Sequence, residues 1–273
     1  MNDKVISSVI DEQITFNHIR KNVTDTNKFN THCHDRYEII YFVEGDVSYI
    51  AEGRSYKLSQ GDVVLSRPSV IHGIHPKINT YYERYDIIIN DKLLPQSLRN
   101  ALKSSKDVYH ERENERVAEL FMKLDDYMRC FSEEDFARLA FNITEEVLYN
   151  LTLSDGEDDA ASVNPLIVKA LDYIRDNLTK IRSVSEVSDA LYITKSHLHH
   201  LFNEHLQMTP GKYINSKKLL MAQKKIKKGA RPTAIYTDCG FEDYATFFRN
   251  YKRYFGYSPA EEGLAKSKRE ILF

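Results

Sequence analysis

Four residues in the first third of the chain have types and spacing that could do chemistry: His32-x-His34-x3-Glu38, followed by Gly45, Gly61, Pro68 and His72. On a strand, residues two apart share a face, so His32 and His34 point inward together. Imidazoles with one carboxylate suit iron, manganese, zinc or copper. The same groups inside a polar barrel also hydrogen-bond an organic ligand. His18 and His75 fit no such pattern and read as surface or loop histidines. The chain shows no nucleophile triad and no phosphate-binding glycine loop, so it is not expected to be an enzyme and no cofactor is expected.

The elements that must carry this set are short strands. Tyr37–Val43, Val47–Ala51, Ser55–Leu58, Asp62–Leu65 and Tyr85–Ile89 are rich in aromatic and β-branched residues, with turn residues at Gly45, Gly53, Gly61 and Pro68 between them. Close spacing of short strands predicts an antiparallel barrel or sandwich. Two amphipathic helices follow. Val117, Leu120, Phe121, Leu124 and Met128 share one face, and Phe136, Leu139, Ala140, Ile143, Val147 and Leu151 share another. Paired helices outside a small barrel either complete its core or form a homodimer interface, and the dimer role is favoured because the barrel should cover its own interior.

From Asn164 onward the pattern is helical. Asn164-Pro165 opens one helix, and Ser183-x2-Glu186 is a capping box for a short one. Thr194 caps a helix from Lys195 to about His205, in which Leu198, Leu201 and Phe202 have core spacing and Ser196, His199, His200 and Asn203 turn outward. That is a helix-turn-helix pattern, and a second copy follows. Thr209-Pro210 starts a long helix through Lys228, with Lys217, Lys218, Lys224, Lys225, Lys227 and Lys228 outside its apolar side. Pro232–Cys239 is a short helix, Gly240 the turn, and Asp243 opens a last helix through Phe255, with Tyr244, Ala245, Arg249, Lys252 and Arg253 in exposed phases.

Charge divides along the same line. The 273 residues sum to −2, but residues 1–161 carry −10 and residues 162–273 carry +8. The basic half suits a polyanion. Three widely spaced cysteines, Cys33, Cys130 and Cys239, fit a reducing cytoplasm better than a disulfide framework. No run approaches the ~20 apolar residues of a membrane span, and no secretory signal is visible at the start, so a cytoplasmic location without membrane partners is expected.

Two resemblances sharpen the reading. The histidine–glutamate set resembles the two motifs of the cupin superfamily, a small double-stranded β-helix barrel. Departures are Thr26 at a usual glycine, His72 four rather than five residues after Pro68, and Pro76 at a usual asparagine. Residues from about 165 to 263 resemble the DNA-binding domain of the AraC/XylS family. The match is strongest through Ile235-x3-Cys239-Gly240-Phe241-x5-Phe247-x3-Tyr251-Lys252-x3-Gly256-x-Ser258-Pro259, and runs through Leu198, Leu201, Phe202, Thr209-Pro210-x2-Tyr213-Ile214 in the first unit. Asp238 stands at a usual alanine, and Glu262-Gly263 replaces the usual Tyr-Arg.

The resemblance implies an α+β chain: residues 1–153 a cupin-like effector-binding and dimerisation domain with two helices, 154–163 a linker, and 164–273 an all-α domain of two helix-turn-helix units joined by one long helix. It implies a sequence-specific regulator at double-stranded promoter DNA, an activator or a repressor of transcription, with RNA polymerase as a further partner and a sugar or related metabolite as effector. By position, Ser196, His199, His200, Tyr244, Ala245, Thr246 and Arg249 face bases. Lys195, Lys252 and Arg253 face phosphates. His32, His34, Glu38, His72 and Tyr85 line the effector pocket. The competing expectation is a cupin metalloenzyme with an appended helical domain, its metal held by His32, His34, Glu38 and His72.

Overall fold

The computed structural model describes residues 4–10, 13–26, 29–110, 115–154 and 163–262. The chain divides into two compact units, with the main division between Ala161 and Ser162. The expected linker, 154–163, lies almost wholly outside the described residues.

The first unit contains β1 (Lys4–Ile10), β2 (Ile14–Asn22), β3 (Arg36–Glu44), β4 (Val47–Ala51), β5 (Arg54–Lys57), β6 (Val63–Ser66), β7 (His72–Pro76), β8 (Tyr81–Asn90) and β9 (Val108–Tyr109). They form a six-stranded sheet in the order β1-β2-β8-β3-β6-β9 and a three-stranded sheet in the order β5-β4-β7. The register places Asn17 and Ile40 on either side of Asp86, and Ile19 and Phe42 on either side of Arg84. At the β3–β4 turn Gly45 has φ +141, and a Cβ there would come within 2.8 Å of the Tyr81 carbonyl oxygen. Glycine is therefore the residue the turn admits.

Both faces of the large sheet are buried, which is why β3 reads as a continuous apolar run rather than an alternating one. Ile40, Phe42, Tyr49, Tyr56, Val64 and Tyr82 pack into one core, inside the barrel. Phe16, Tyr37, Ile39, Tyr41, Tyr85, Ile87 and Ile89 point the other way and pack against helices α1 (Gln96–Ala101), α2 (Glu115–Cys130) and α3 (Glu133–Thr152). The apolar stripes of α2 and α3 are consumed here. Val117, Leu120, Phe121, Leu124, Phe136, Ala140, Ile143, Val147 and Leu151 are buried against the sheet. This corrects the expectation that these faces are the dimer surface: the outer face of the sheet is itself apolar and needs them as cover.

The second unit is helical: α4 (Pro165–Asn177), α5 (Val184–Ala190), α6 (Lys195–Leu206), α7 (Pro210–Lys227), α8 (Pro232–Ile235) and α9 (Tyr244–Phe255). Its caps are those the sequence spells out. Asn164, Ser183, Thr194, Thr209 and Asp243 each accept from a backbone N–H of the first turn, which stabilises such a helix start by about 1 kcal/mol. α8 is one turn long, shorter than expected, and continues through turns to Gly240. Among the described residues no helix is long and apolar enough to cross a membrane.

Candidate functional site

The structure brings His32, His34, Glu38 and His72 together. One ligand atom from each lies within 4.8 Å of every other; His32 is exposed and the other three are buried. The His72 Nε2 stands 2.8 Å from a Glu38 carboxylate oxygen, and its Nδ1 2.9 Å from the Val70 carbonyl oxygen. A carbonyl only accepts, so Nδ1 carries a hydrogen and Nε2 is turned to the Glu38 carboxylate. Three imidazoles and a carboxylate converging on one point are arranged either to grip a polar ligand or to hold one divalent cation.

Tyr85 is not part of this group. It lies on the opposite face of β8, stacked on His18 with ring centroids 4.0 Å apart, and its hydroxyl donates to Asp125 at 2.9 Å. Strand alternation explains the displacement: the odd-numbered residues of β8 face the helices and the even-numbered ones face the barrel. His18 is likewise not a surface histidine. It is buried on β2, with Nδ1 2.8 Å from Asp125 and Nε2 2.8 Å from Glu83. His75 lies half-buried on β7, where burial lowers its pKa to about 4.

The even-numbered face of β8 adds residues that sequence reasoning missed. Asp86 is fully buried and accepts from the Asn17 side-chain amide at 3.3 Å. Burial, together with the Glu38 carboxyl beside it, raises its pKa although Arg84 opposes the shift. Tyr82 and Arg84 lie on the same face, the guanidinium carbon 5.8 Å from the centre of the tyrosine ring. Charged residues on a strand otherwise apolar on both faces were the available signal.

In the second unit, α6 and α9 are the later helices of the two helix-turn-helix units. On α6, Leu198, Leu201, Phe202 and Leu206 are buried, while Lys195, Ser196 and His200 are exposed and His199 half-exposed. On α9, Phe247, Tyr251 and Phe255 are buried, while Ala245, Arg249, Lys252 and Arg253 are exposed and Tyr244 and Thr246 half-exposed. All ten expected contact residues therefore have solvent-facing surface. Arg249 donates to the Thr246 hydroxyl at 3.1 Å, which places its guanidinium along the helix face. His200 approaches Glu204 at 3.6 Å. The geometry offers two polar helix faces with basic groups at their ends, suited to base edges and flanking phosphates.

Two buried ionic groups hold this unit together. Lys218 was expected outside with the other lysines of α7. It is buried instead, its Nζ donating to the carbonyls of Ile181 at 2.6 Å and Gly240 at 2.8 Å, and burial lowers its pKa. Glu262, which departs from the usual family ending, is also buried. It accepts from the Tyr251 hydroxyl and from the Gln223 amide at 3.2 Å, joining α7 to α9.

Comparison with known proteins agrees with both halves. An AraC-like ligand binding domain matches residues 19–146, and a helix-turn-helix domain matches residues 187–262. The chain is 25% identical over 252 residues to the HTH-type transcriptional activator RhaS of Escherichia fergusonii, covering 85% of this chain and 87% of that one. It is 25% identical over 229 residues to the lactose operon transcription activator of Staphylococcus xylosus, covering 80% and 79%. It is 29% identical over 122 residues to the multiple antibiotic resistance protein MarA of Escherichia coli, covering 44% of this chain and 93% of that one. With a ligand-binding barrel in one unit and paired helix-turn-helix faces in the other, the chain belongs to the AraC family, as an effector-responsive, DNA-binding transcription regulator.

Proposed function

We propose that this regulator activates transcription by binding double-stranded promoter DNA through α6 and α9, under control of a sugar or related metabolite held inside the barrel. The observation that carries the DNA reading is the pair of polar helix faces: Ser196, His199 and His200 on one, and Tyr244, Ala245, Thr246 and Arg249 on the other, meet base edges. Lys195, Lys252 and Arg253 meet phosphates and set the register. The charge of +8 on residues 162–273 supports it. Activation is extended from the relatives that bear that name, and implies a contact with RNA polymerase at the promoter. Cytoplasmic action fits three cysteines with no disulfide among them. A homodimer is supported by Met122, Phe131, Tyr149 and Leu153, apolar side chains exposed on and beside α2 and α3.

Selection of bound DNA from a random pool tests this. A recurring motif with two short blocks about one helical turn apart is expected, with binding that weakens steeply as salt rises. Recovery of no motif sinks the reading. Sedimentation equilibrium at micromolar concentration tests the dimer, and a monomer there rejects it.

A second reading of the barrel rests on the convergence of His32, His34, Glu38 and His72. Their donor set fits one divalent transition metal, which would serve as part of the sensing site or as a Lewis acid. Elemental analysis of purified protein decides: near-stoichiometric metal that is lost in His34→Ala supports it, and metal-free protein rejects it.

A further inference from the structure

We propose that the C-terminal end of α7 and the loop into α8 form a separate phosphate-binding surface, in which Lys224, Lys228 and Arg231 grip the DNA backbone beside the groove segment read by α9. This rests on the reading of α6 and α9 as the helices that enter DNA, and it assigns the electrostatic part of that binding to residues outside both.

The positive charge of the helical unit is not spread over it. Residues 205–237 carry eight lysines and arginines and no acidic residue. Residues 162–204 carry five of each sign, and residues 238–273 six of each. α9, and α6 up to Glu204, therefore lie in segments of zero net charge. The whole excess of +8 sits on α7 and the loop that follows it.

Part of that excess is spent internally. Lys218 is buried on two carbonyls. Lys225 stands 3.6 Å from Asp238, and Lys227 3.6 Å from Glu262. Lys224, Lys228 and Arg231 are exposed, and their side chains make no hydrogen bond or ion pair to another described residue.

These three cations do not serve to close the helix. The Gly229 N–H donates to the Ile226 carbonyl oxygen at 2.8 Å and the Ala230 N–H to the Lys225 carbonyl oxygen at 3.1 Å, with Gly229 at φ +92. That left-handed closure satisfies the last carbonyls from the backbone itself. Lys224 and Lys228, four residues apart, share one face of α7, and like charges at that spacing repel. Holding them side by side costs the helix, and a bound anion offsets the cost.

The position of the patch names the anion. In a helix-turn-helix unit the first helix crosses the nucleic-acid backbone while the second enters the groove. α8 is the first helix of the second unit, and Arg231 stands directly before it. The entry to α5 is built differently. There Arg182 donates to the carbonyls of Thr179 and Gly240 and lies 3.6 Å from Glu242, so it is tied into the unit's own fold. An acidic protein partner would call for an apolar or aromatic anchor in the patch. Among the described residues from 222 to 237 there is no large exposed apolar side chain.

The test compares the full chain with a Lys224→Gln, Lys228→Gln, Arg231→Gln variant on the selected motif and on scrambled DNA at several salt concentrations. The variant should lose about tenfold or more in affinity for both DNAs alike, and its log–log salt slope should fall by about 2–3, since each phosphate contact contributes about 0.9. Its melting midpoint should stay level or rise. Ethylation of single phosphates should reveal backbone positions that weaken the parent and leave the variant indifferent. The charge-preserving variant Lys224→Arg, Lys228→Arg, Arg231→Lys should bind as the parent does. Unchanged affinity and slope, a loss confined to the motif, or a lowered melting midpoint overturns the inference. Unchanged DNA binding with lost activation in transcription by purified RNA polymerase gives the patch to a protein partner and also overturns it. A parent that selects a motif, with a glutamine variant that binds it equally well, removes only this inference, whereas a parent that selects no motif removes the proposed function.

Discussion

The Nζ of Lys218 donates to the carbonyl oxygen of Gly240 at 2.8 Å, joining the middle of α7 to the turn that precedes α9. The same ammonium donates to Ile181, in the segment between α4 and α5. Arg182 adds a bond to the Gly240 carbonyl at 3.1 Å. One lysine thus fixes the second turn against both the long helix and the start of the first helix-turn-helix unit. The two polar faces, whose spacing the proposed reading of two groove segments depends on, are braced by these buried bonds.

Replacing Lys218 with Met should destabilise the helical unit by about 1–3 kcal/mol, because the Ile181 carbonyl loses its lysine donor and the Gly240 carbonyl keeps only Arg182. Gly240→Ala should cost a similar amount by a different route. Its φ is +82 and a Cβ there would meet the Thr179 carbonyl oxygen at 2.8 Å and Lys218 Cε at 2.9 Å. Urea unfolding followed by far-ultraviolet circular dichroism measures both. A midpoint unchanged in either variant contradicts the bracing role of these bonds.

Arg249→Ala should weaken binding to the selected motif by about 1–3 kcal/mol and relax preference at one base pair, as removal of a bidentate guanine contact does. Lys252→Ala should weaken all sequences alike and reduce the salt slope by about 1. Titrations of motif and scrambled DNA at several salt concentrations separate the two. Equal loss on both DNAs for Arg249→Ala removes that residue from base reading.

Much of this architecture was legible because the code for it is local. Caps at Asn164, Ser183, Thr194, Thr209 and Asp243 mark helix starts through one side chain and the backbone two or three residues on. The turn at Gly240 demands a conformation that glycine supplies. The four-residue cluster was legible from the spacing of its histidines and carboxylate, although His32 and His34 precede β3 rather than lie on it, and His34 is buried while His32 is exposed. What stayed hidden depends on partners distant in sequence. The apolar faces of α2 and α3 look alike whether they meet a second copy or the outer face of the sheet. Lys218 reads as one of six lysines until its two carbonyl acceptors arrive from other elements. Arg84 and Asp86 read as ordinary strand residues until β2 and β3 close on either side of β8.

Tyr85→Phe discriminates between two places for one residue. Within the pocket its hydroxyl would contact the effector, and the change would weaken the response to it. On the helix side, where the structure puts it, the change deletes a bond to Asp125. The expected outcome is a loss of about 0.5–1.5 kcal/mol in barrel stability with ligand affinity unchanged. Calorimetric titration of the variant with its effector checks this, and a tenfold loss of affinity would return Tyr85 to the pocket.

His18 makes the stability of the barrel depend on pH. Burial works against its charge, but the hydrogen bonds it donates to Asp125 and Glu83 outweigh that and raise its pKa above 6.5. Glu83 is shifted the other way. Burial raises its pKa, but the bonds from Arg20, Tyr81 and His18 prevail and hold it below the ordinary value. A raised histidine pKa gives stability that is full below pH 6.5 and fades as pH rises through the folded-state value. A lowered carboxylate pKa gives stability present above about pH 4.5 and lost on acidification below it. These two groups together therefore contribute most between about pH 5 and 6.5, and the His18 share fades on the alkaline side as the imidazolium loses its proton. His18→Gln should make the alkaline decline shallower while lowering stability at pH 6 by about 1–3 kcal/mol. Melting midpoints measured from pH 5 to 9 for both proteins test this. Parallel profiles would mean that the proton between Asp125 and Glu83 is not what couples sheet to helix, since loss of that proton is the only step at His18 that can bend the curve in this range.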